Sequence, residues 1–167
     1  MLIDWQRYRK YWVSRLAKLK GTPNSIAAGV ACGAAVSFTP FVGAHLVLAM
    51  ITAWIIRGNV IAAALGTAVG NPWTFPVIWV SVLYTGRKML GMDYAQAVNV
   101  DFATMFSHAF KALINFDFGL FFSDIWPILW PMMIGCIPFY IIVWVLVYYL
   151  VKIMLNNRIN IKRTGVK

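Results

Sequence analysis

Glutamate is absent from this sequence, and its 167 residues include only five aspartates, two histidines and two cysteines. Few catalytic schemes survive that shortage. General acid–base chemistry needs an ionisable group held within reach of a reacting atom, yet Asp93, Asp101, Asp117 and Asp124 all fall outside the long apolar runs. Cys32 and Cys136 stand alone inside apolar runs with no metal-ligand spacing, and each reads as a small buried hydrophobe. Neither a G-x-G-x-x-G nor a G-K-[ST] phosphate loop occurs. These absences predict a protein that is not an enzyme and that carries neither metal nor cofactor. Charge is scarce as well: 12% of residues are charged against 61% hydrophobic, with a mean hydropathy of +0.72. Such a composition excludes an ordinary soluble domain and points to an integral membrane protein.

What charge there is sits at the ends. Of fifteen Lys and Arg, six lie in residues 1–20 and five in residues 152–167, leaving Arg57, Arg87, Lys88 and Lys111 between them. In a membrane protein this distribution places both termini in the cytoplasm, at a bacterial inner membrane. The net charge of +10 is then matched by anionic lipid headgroups, not by nucleic acid. Residues 1–21 form a basic amphipathic segment. Trp5, Tyr8, Trp12, Leu16 and Leu19 recur at helical spacing, with Arg7, Arg9, Lys10, Arg15 and Lys18 on the remaining surface. A helix of this pattern lies at the membrane surface, and it equally suits packing on a partner protein.

Residues 22–90 carry the most specific pattern. Two apolar segments, Ser25 to Ile56 and Asn59 to Gly86, are interrupted at Phe38-Thr39-Pro40-Phe41-Val42-Gly43 and at Asn71-Pro72-Trp73-Thr74-Phe75-Pro76. A shift of 35 lays Ile26-Ala27-Ala28 on Ile61-Ala62-Ala63 and Phe38-Thr39 on Trp73-Thr74, which reads as an internal repeat. A continuous helix over the first segment would be roughly 48 Å long, against a hydrocarbon core of about 30 Å. That is too long for one straight crossing and too short for two. Each repeat is therefore expected to be a re-entrant hairpin or a broken crossing helix. The first half of each is rich in Ala and Gly, with the pairs Gly29/Gly33 and Gly66/Gly70 at G-x-x-x-G spacing, so these halves should pack on one another. The second halves carry larger side chains suited to lipid.

Residues 91–125 gather four of the aspartates and read as an outer-face connection with an amphipathic helix, Phe102, Met105, Phe106, Phe110, Leu113 and Ile114 forming its stripe. Residues 126–152 make a transmembrane helix that Pro138 should kink. Residues 153–167 read as a loosely ordered cytoplasmic tail. The fold class is accordingly all-α: two broken helical repeats, interfacial amphipathic helices and one long C-terminal transmembrane helix.

Polar groups at membrane depth are candidates for function. Thr39, Pro40, Gly43 and His45 surround the first break, and Asn71, Pro72, Thr74 and Pro76 form the second. Proline lacks an N–H and leaves carbonyls free, while resumed helices aim amides inward, an arrangement suited to an anion. Asn71 equally suits a helix N-cap before Pro72. Arg57 and Arg87 end the two repeats in corresponding positions. Arg57 also fits a simple positive-inside role, whereas Arg87 precedes an outer connection and opposes the topology. The first repeat turning back and the second crossing, with Arg87 held inside, would reconcile this.

The stretch from about Thr22 to Met89 resembles the bacterial membrane family catalogued as domain of unknown function twenty sixty-two. The likeness is carried by Pro23, Ala27-Ala28-Gly29, Phe38-x-Pro40-x-x-Gly43-x-His45 and Asn71-Pro72-x-Thr74 with Pro76 behind it. That family has no established activity; some members look fused to family-two glycosyltransferase domains, which implies a link to lipid-linked sugars. The paired broken helices also look like the DedA lipid-carrier flippases, whose acidic motif residues are missing here. The expected function is a small transporter or flippase that binds an anionic, phosphate-bearing headgroup or other anion at the helix breaks, as a homo-oligomer. The alternative is a non-catalytic accessory subunit of a larger membrane complex.

Overall fold

The computed structural model describes residues 15, 16, 18–41, 43–93, 95, 100–116 and 118–164. Trp5, Arg7, Arg9, Lys10 and Trp12 of the basic segment lie outside them. Among the described residues the chain is helical throughout, without strands: α1 Pro23–Val36, α2 His45–Ile55, α3 Val60–Gly66 followed by a 3-10 turn Thr67–Val69, α4 Phe75–Met89, α5 Phe102–Asn115, and α6 Trp126–Thr164. Both interruptions expected from the sequence are real helix ends. The first lies between Val36 and His45, and the second between Val69 and Phe75. The two segments share the order helix, break, helix but not the lengths, with helices of 14 and 11 residues in the first and of 7 and 15 in the second.

The chain forms two compact units: residues 1–37, 43–69 and 142–167 make one, and residues 38–42 and 70–141 the other. In the first unit α1, α2 and α3 pack on one another. Thr22 opens α1 by accepting the Ser25 amide on its hydroxyl (3.2 Å), with Pro23 at a position where its missing N–H costs nothing. After α2 the chain has come back to its starting point, because the Asn59 amide donates to the Ser25 carbonyl (2.8 Å) and Ser25 Oγ donates to the Arg57 carbonyl (3.3 Å). The first broken segment is thus a helical hairpin. Asn59 then caps α3 through Oδ1, which accepts from the Ala62 amide (2.8 Å), while its Nδ2 donates to the Lys20 carbonyl (2.7 Å).

Contact between α1 and α3 is made by backbone, as the small-residue stripes predict. A Cβ added to Gly29 would strike the Asn59 carbonyl oxygen; one on Gly33, the Ala63 carbonyl oxygen; one on Gly66, the Val30 carbonyl oxygen. Ala27, Ala31, Ala34, Ala35, Ala62 and Ala63 are all buried around this seam. At its far end the buried Ser37 hydroxyl donates to the Gly33 carbonyl (3.0 Å) and reaches the Thr67 carbonyl (3.5 Å). Gly70, the second member of its predicted pair, falls beyond α3 and in the other unit. Val151 and Leu155 of α6 complete the apolar cluster with Leu16, Ile26, Ala27 and Ala62. This explains why α6 does not end at Lys152: no Gly or Pro occurs from Lys152 to Thr164, and the helix runs on where a loose tail was expected.

The second unit uses the same device with other residues. Gly86 of α4 leaves no room for a Cβ beside the Pro131 carbonyl, nor Gly135 beside the Val82 carbonyl, so α4 and the first half of α6 also meet backbone to backbone. Ile78, Trp79, Val82, Leu83 and Met132 are its core, with Phe38, Phe75, Phe102 and Phe139 packed around them. The amphipathic helix expected in the connection is α5. Asp101 caps it, accepting from the Ala103 and Thr104 amides and from the Thr104 hydroxyl (2.9, 3.2 and 2.6 Å).

Phe121–Asn157 is a continuous helical stretch of 37 residues with mean hydropathy 2.3 and only 11% burial in its most apolar window. Its length and composition suffice to cross a membrane. Pro23–Val36, His45–Ile55 and Val60–Val69 are apolar but too short to do so singly. The surface stays apolar too: Trp54, Ile55, Ile61 and Val77 are each more than 60% exposed, as the larger residues of the second halves suggested.

Filling the glycine seams is expected to be costly. Gly33→Ala and Gly86→Ala should each destabilise by about 1–3 kcal/mol, read as a lowered midpoint of thermal unfolding by circular dichroism in detergent; unchanged midpoints would mean the helices do not touch through their backbones. A second expectation concerns acid. Hydrogen bonds from the Thr104 hydroxyl and then its amide hold the Asp101 carboxyl below its ordinary range. The cap is therefore fully present above the carboxyl's unfolded-state pKa and lost as pH falls through the lower folded value. Amide exchange at Ala103 should accelerate relative to mid-α5 amides across that acid window, and exchange that keeps a constant ratio there would rule out the cap.

Candidate functional site

The break residues divide between the two units. Thr39 and Pro40 join Asn71, Pro72, Thr74, Pro76 and Arg87 in the second, whereas Gly43 and His45 belong to the first. Phe38, which leads into the first break, stacks on Phe139 (ring centroids 5.8 Å apart), and Phe75, which ends the second, stacks on Trp79 (4.8 Å). Both rings pack against the same apolar cluster. The two interruptions, 33 residues apart in the chain, are thereby brought into one unit. Pro40 is buried and Thr39 half-buried, while Pro72 and Pro76 are exposed.

Asn71 and Thr74 hold the second break by exchanging hydrogen bonds. Asn71 Oδ1 accepts from the Trp73 and Thr74 amides (3.0 and 3.1 Å), and Thr74 Oγ1 accepts from the Asn71 amide (3.0 Å) and donates to its carbonyl (3.1 Å). The turn they make is the helix-starting cap that Asn71 before Pro72 suggested. Trp73, at its apex, is 90% exposed. In the first break Gly43 takes φ +84° with open space around it, and His45 begins α2, half-buried.

Arg87 is not at the breaks. It lies twelve residues beyond Phe75 on one continuous helix, roughly 18 Å along the axis. There it is half-buried, as the opposed topology suggested, with Nη1 donating to the Asp93 carbonyl (3.4 Å). Arg87 and Lys88 fill the last turn of α4, where the partial negative charge of the helix end favours cations. His45 and Arg57, at opposite ends of α2, are separated by a similar length.

Arg57 instead lines a cavity of about 430 Å³ in the first unit, together with Thr22, Asn24, Ser25, Ala28, Ile56, Trp144 and Tyr148. Three elements meet here: the start of α1, the end of α2 and the second half of α6. The Trp144 and Tyr148 rings stack at 5.2 Å and 6°, and Lys152 Nζ lies 5.4 Å over the Tyr148 ring. Trp144 Nε1 donates to Cys32 Sγ (3.4 Å), which gives the buried thiol a structural part. The sequence gave weight to Arg57 only as the end of a repeat, and Trp144 and Tyr148 read as interface aromatics. Their convergence depends on α6 packing 112 residues away from Cys32. Among the described residues no group of three or more His, Cys, Asp or Glu could hold a metal.

An all-helical chain with glycine-packed short helices and one span-length apolar helix is the class these observations define. The family can be stated as well: the model of the family described as "Uncharacterized protein conserved in bacteria (DUF2062)" matches residues 6–164, and the chain belongs to that family. Neither a curated protein nor a solved structure matches it.

Removing the Asn71 side chain should loosen the second break. Asn71→Ala is expected to cost about 1 kcal/mol and Asn71→Asp, which keeps the acceptor, distinctly less; equal midpoints of thermal unfolding for the two variants would show that the turn does not rely on Oδ1.

Proposed function

We propose that this protein is an integral component of the bacterial inner membrane and acts as a small transporter or flippase for a phosphate-bearing anionic amphiphile. The observation that carries this reading is the helical hairpin of α1 and α2. A segment with the length of one overlong crossing returns to its own start, and its turn joins the second helix break in one unit. In a bilayer such irregular backbone is tolerated where protein or a water-filled cavity surrounds it, the setting of transport pathways built from broken helices. The hairpin would then be re-entrant, with both chain termini cytoplasmic beside the basic end of the hairpin. The exposed apolar side chains of α2, α4 and α6 would meet lipid. With so few residues in the broken region, a homodimer would complete the walls.

A second reading, an accessory subunit of a larger membrane complex, draws support from Trp73. A tryptophan 90% exposed at the tip of a rigid turn is suited to insertion into a partner protein.

The two are separated by reconstitution into phosphatidylcholine vesicles containing fluorescent phosphatidylglycerol. A flippase should let dithionite bleach probe from both leaflets, at a rate that Asn71→Ala slows severalfold. Bleaching confined to the outer leaflet, with the protein shown to be inserted, would reject the flippase. A stable partner protein co-purifying in mild detergent, its capture lost on Trp73→Ala, would establish the accessory role.

A further inference from the structure

We infer that the Arg57 cavity is an anion site that takes a phosphate ester, remote from the helix breaks. For its lipid form this inference rests on the membrane reading above. Three features of the cavity point to such a ligand. First, its volume lies in the range of small-molecule sites, roughly 300–1,000 Å³. Second, the Arg57 guanidinium, the Asn24 amide and the Tyr148 hydroxyl line it as donors, and none of the three has a side-chain hydrogen bond or ion pair among the described residues. Third, the described residues of this unit include no Asp or Glu, so Lys18, Lys20, Arg57 and Lys152 have no carboxylate within it. The first turn of α1 adds little, because the Ser25 amide is already taken by Thr22.

The backbone of Arg57 carries the argument further. Its φ is +57°, in the left-handed region. It follows the end of α2, where the Gly58 amide donates to the Ala53 carbonyl (2.7 Å) and the Arg57 amide to the Trp54 carbonyl (3.0 Å). This paired closure usually places glycine at the left-handed position. Here glycine comes one residue late, at Gly58, and arginine occupies the strained place. Ser25 Oγ, bonded to the Arg57 carbonyl, helps to hold it. A helix end selected for stability alone would carry glycine at 57. Arginine there keeps a planar, permanently charged fork at the cavity, with the stacked rings of Trp144 and Tyr148 as an apolar wall for the rest of the ligand.

The test exploits that strain. Arg57→Gly and Arg57→Asn both suit left-handed backbone, so each should fold with an unchanged or raised thermal midpoint. Each should bind phosphatidylglycerol about tenfold more weakly than the unaltered chain, measured by native mass spectrometry of detergent-purified protein titrated with that lipid and, separately, with sn-glycerol 3-phosphate. Arg57→Lys should fall between. Binding of phosphatidylglycerol but not of sn-glycerol 3-phosphate assigns the site to a lipid headgroup, and comparable binding of both assigns it to a soluble phosphate ester. Equal affinity with and without Arg57, or equal retention of uncharged diacylglycerol, would overturn the inference. The flippase reading fails separately: a chain that moves lipid but binds without regard to Arg57 loses only this site, and a chain that binds through Arg57 but moves nothing loses only the flippase.

Discussion

Direct backbone contact between helices is the constraint from which the rest of the structure follows. Where α1 meets α3, the carbonyls of Val30, Asn59 and Ala63 occupy the space that side chains at Gly66, Gly29 and Gly33 would need. Approach this close gains dispersion contacts along the seam and leaves little tolerance for any added atom. It also explains why α3 can be so short. Seven helical residues would not persist alone; Ala62, Ala63 and Gly66 are held by α1 on one side and capped by Asn59 at the start. The same solution recurs at Gly86 and Gly135 in the second unit, between helices that share no repeat relationship with the first pair.

Much of this was legible because small residues and breakers leave strong marks in a sequence. The Ala and Gly stripes of 26–35 and 61–70 announced a close seam, and Pro40, Gly43, Pro72 and Pro76 announced where helices must stop. Thr22 before Pro23 announced the start of α1. The failures have physical causes as well. Gly86 and Gly135 lie 49 residues apart in otherwise large-residue helices, so nothing local identified them as partners. Lys152 resembled an exit because charge ends an apolar run, yet Val151 and Leu155 are buried on the inner face and carry the helix onward. Arg57 and Arg87 looked equivalent by repeat position. They differ because one follows a hairpin that returns to its origin while the other ends a straight helix, a distinction set by tertiary contact and invisible to a shift of 35.

Placing Arg57 and Arg87 away from the breaks changes the chemistry that can be assigned to each end of the hairpin. The break region holds Phe38, Phe41, Trp73, Phe75 and Trp79, and its polar side chains Asn71 and Thr74 hydrogen-bond to the turn's own backbone. It is an aromatic, locally satisfied structure with no Lys or Arg between residues 38 and 56 or between 70 and 86. The opposite end of α1 and α2 has the cations, the cavity and the strained arginine. An anion stabilised by charge would therefore reside at the Arg57 end. The breaks would serve as a route or a joint for the apolar parts of the molecule.

That separation bears on how so small a protein could act on an amphiphile. A single midplane site would have to desolvate a phosphate within hydrocarbon with no cation near Asn71, at a cost of several kcal/mol or more. A site at the basic end avoids this, since the charge stays near the headgroup layer where Lys18, Lys20 and Lys152 also lie, while the stacked face of Trp144 and Tyr148 accepts the apolar portion. The hairpin then has a role that does not require its turn to touch the anion. By returning the chain to Ser25, it brings the end of α2 beside the start of α1, and in doing so puts Arg57 at the cavity. The broken helix and the anion site are consequently one construction: without the break there is no return, and without the return Arg57 would stand some 16 Å further along an uninterrupted helix, far from Asn24 and Tyr148.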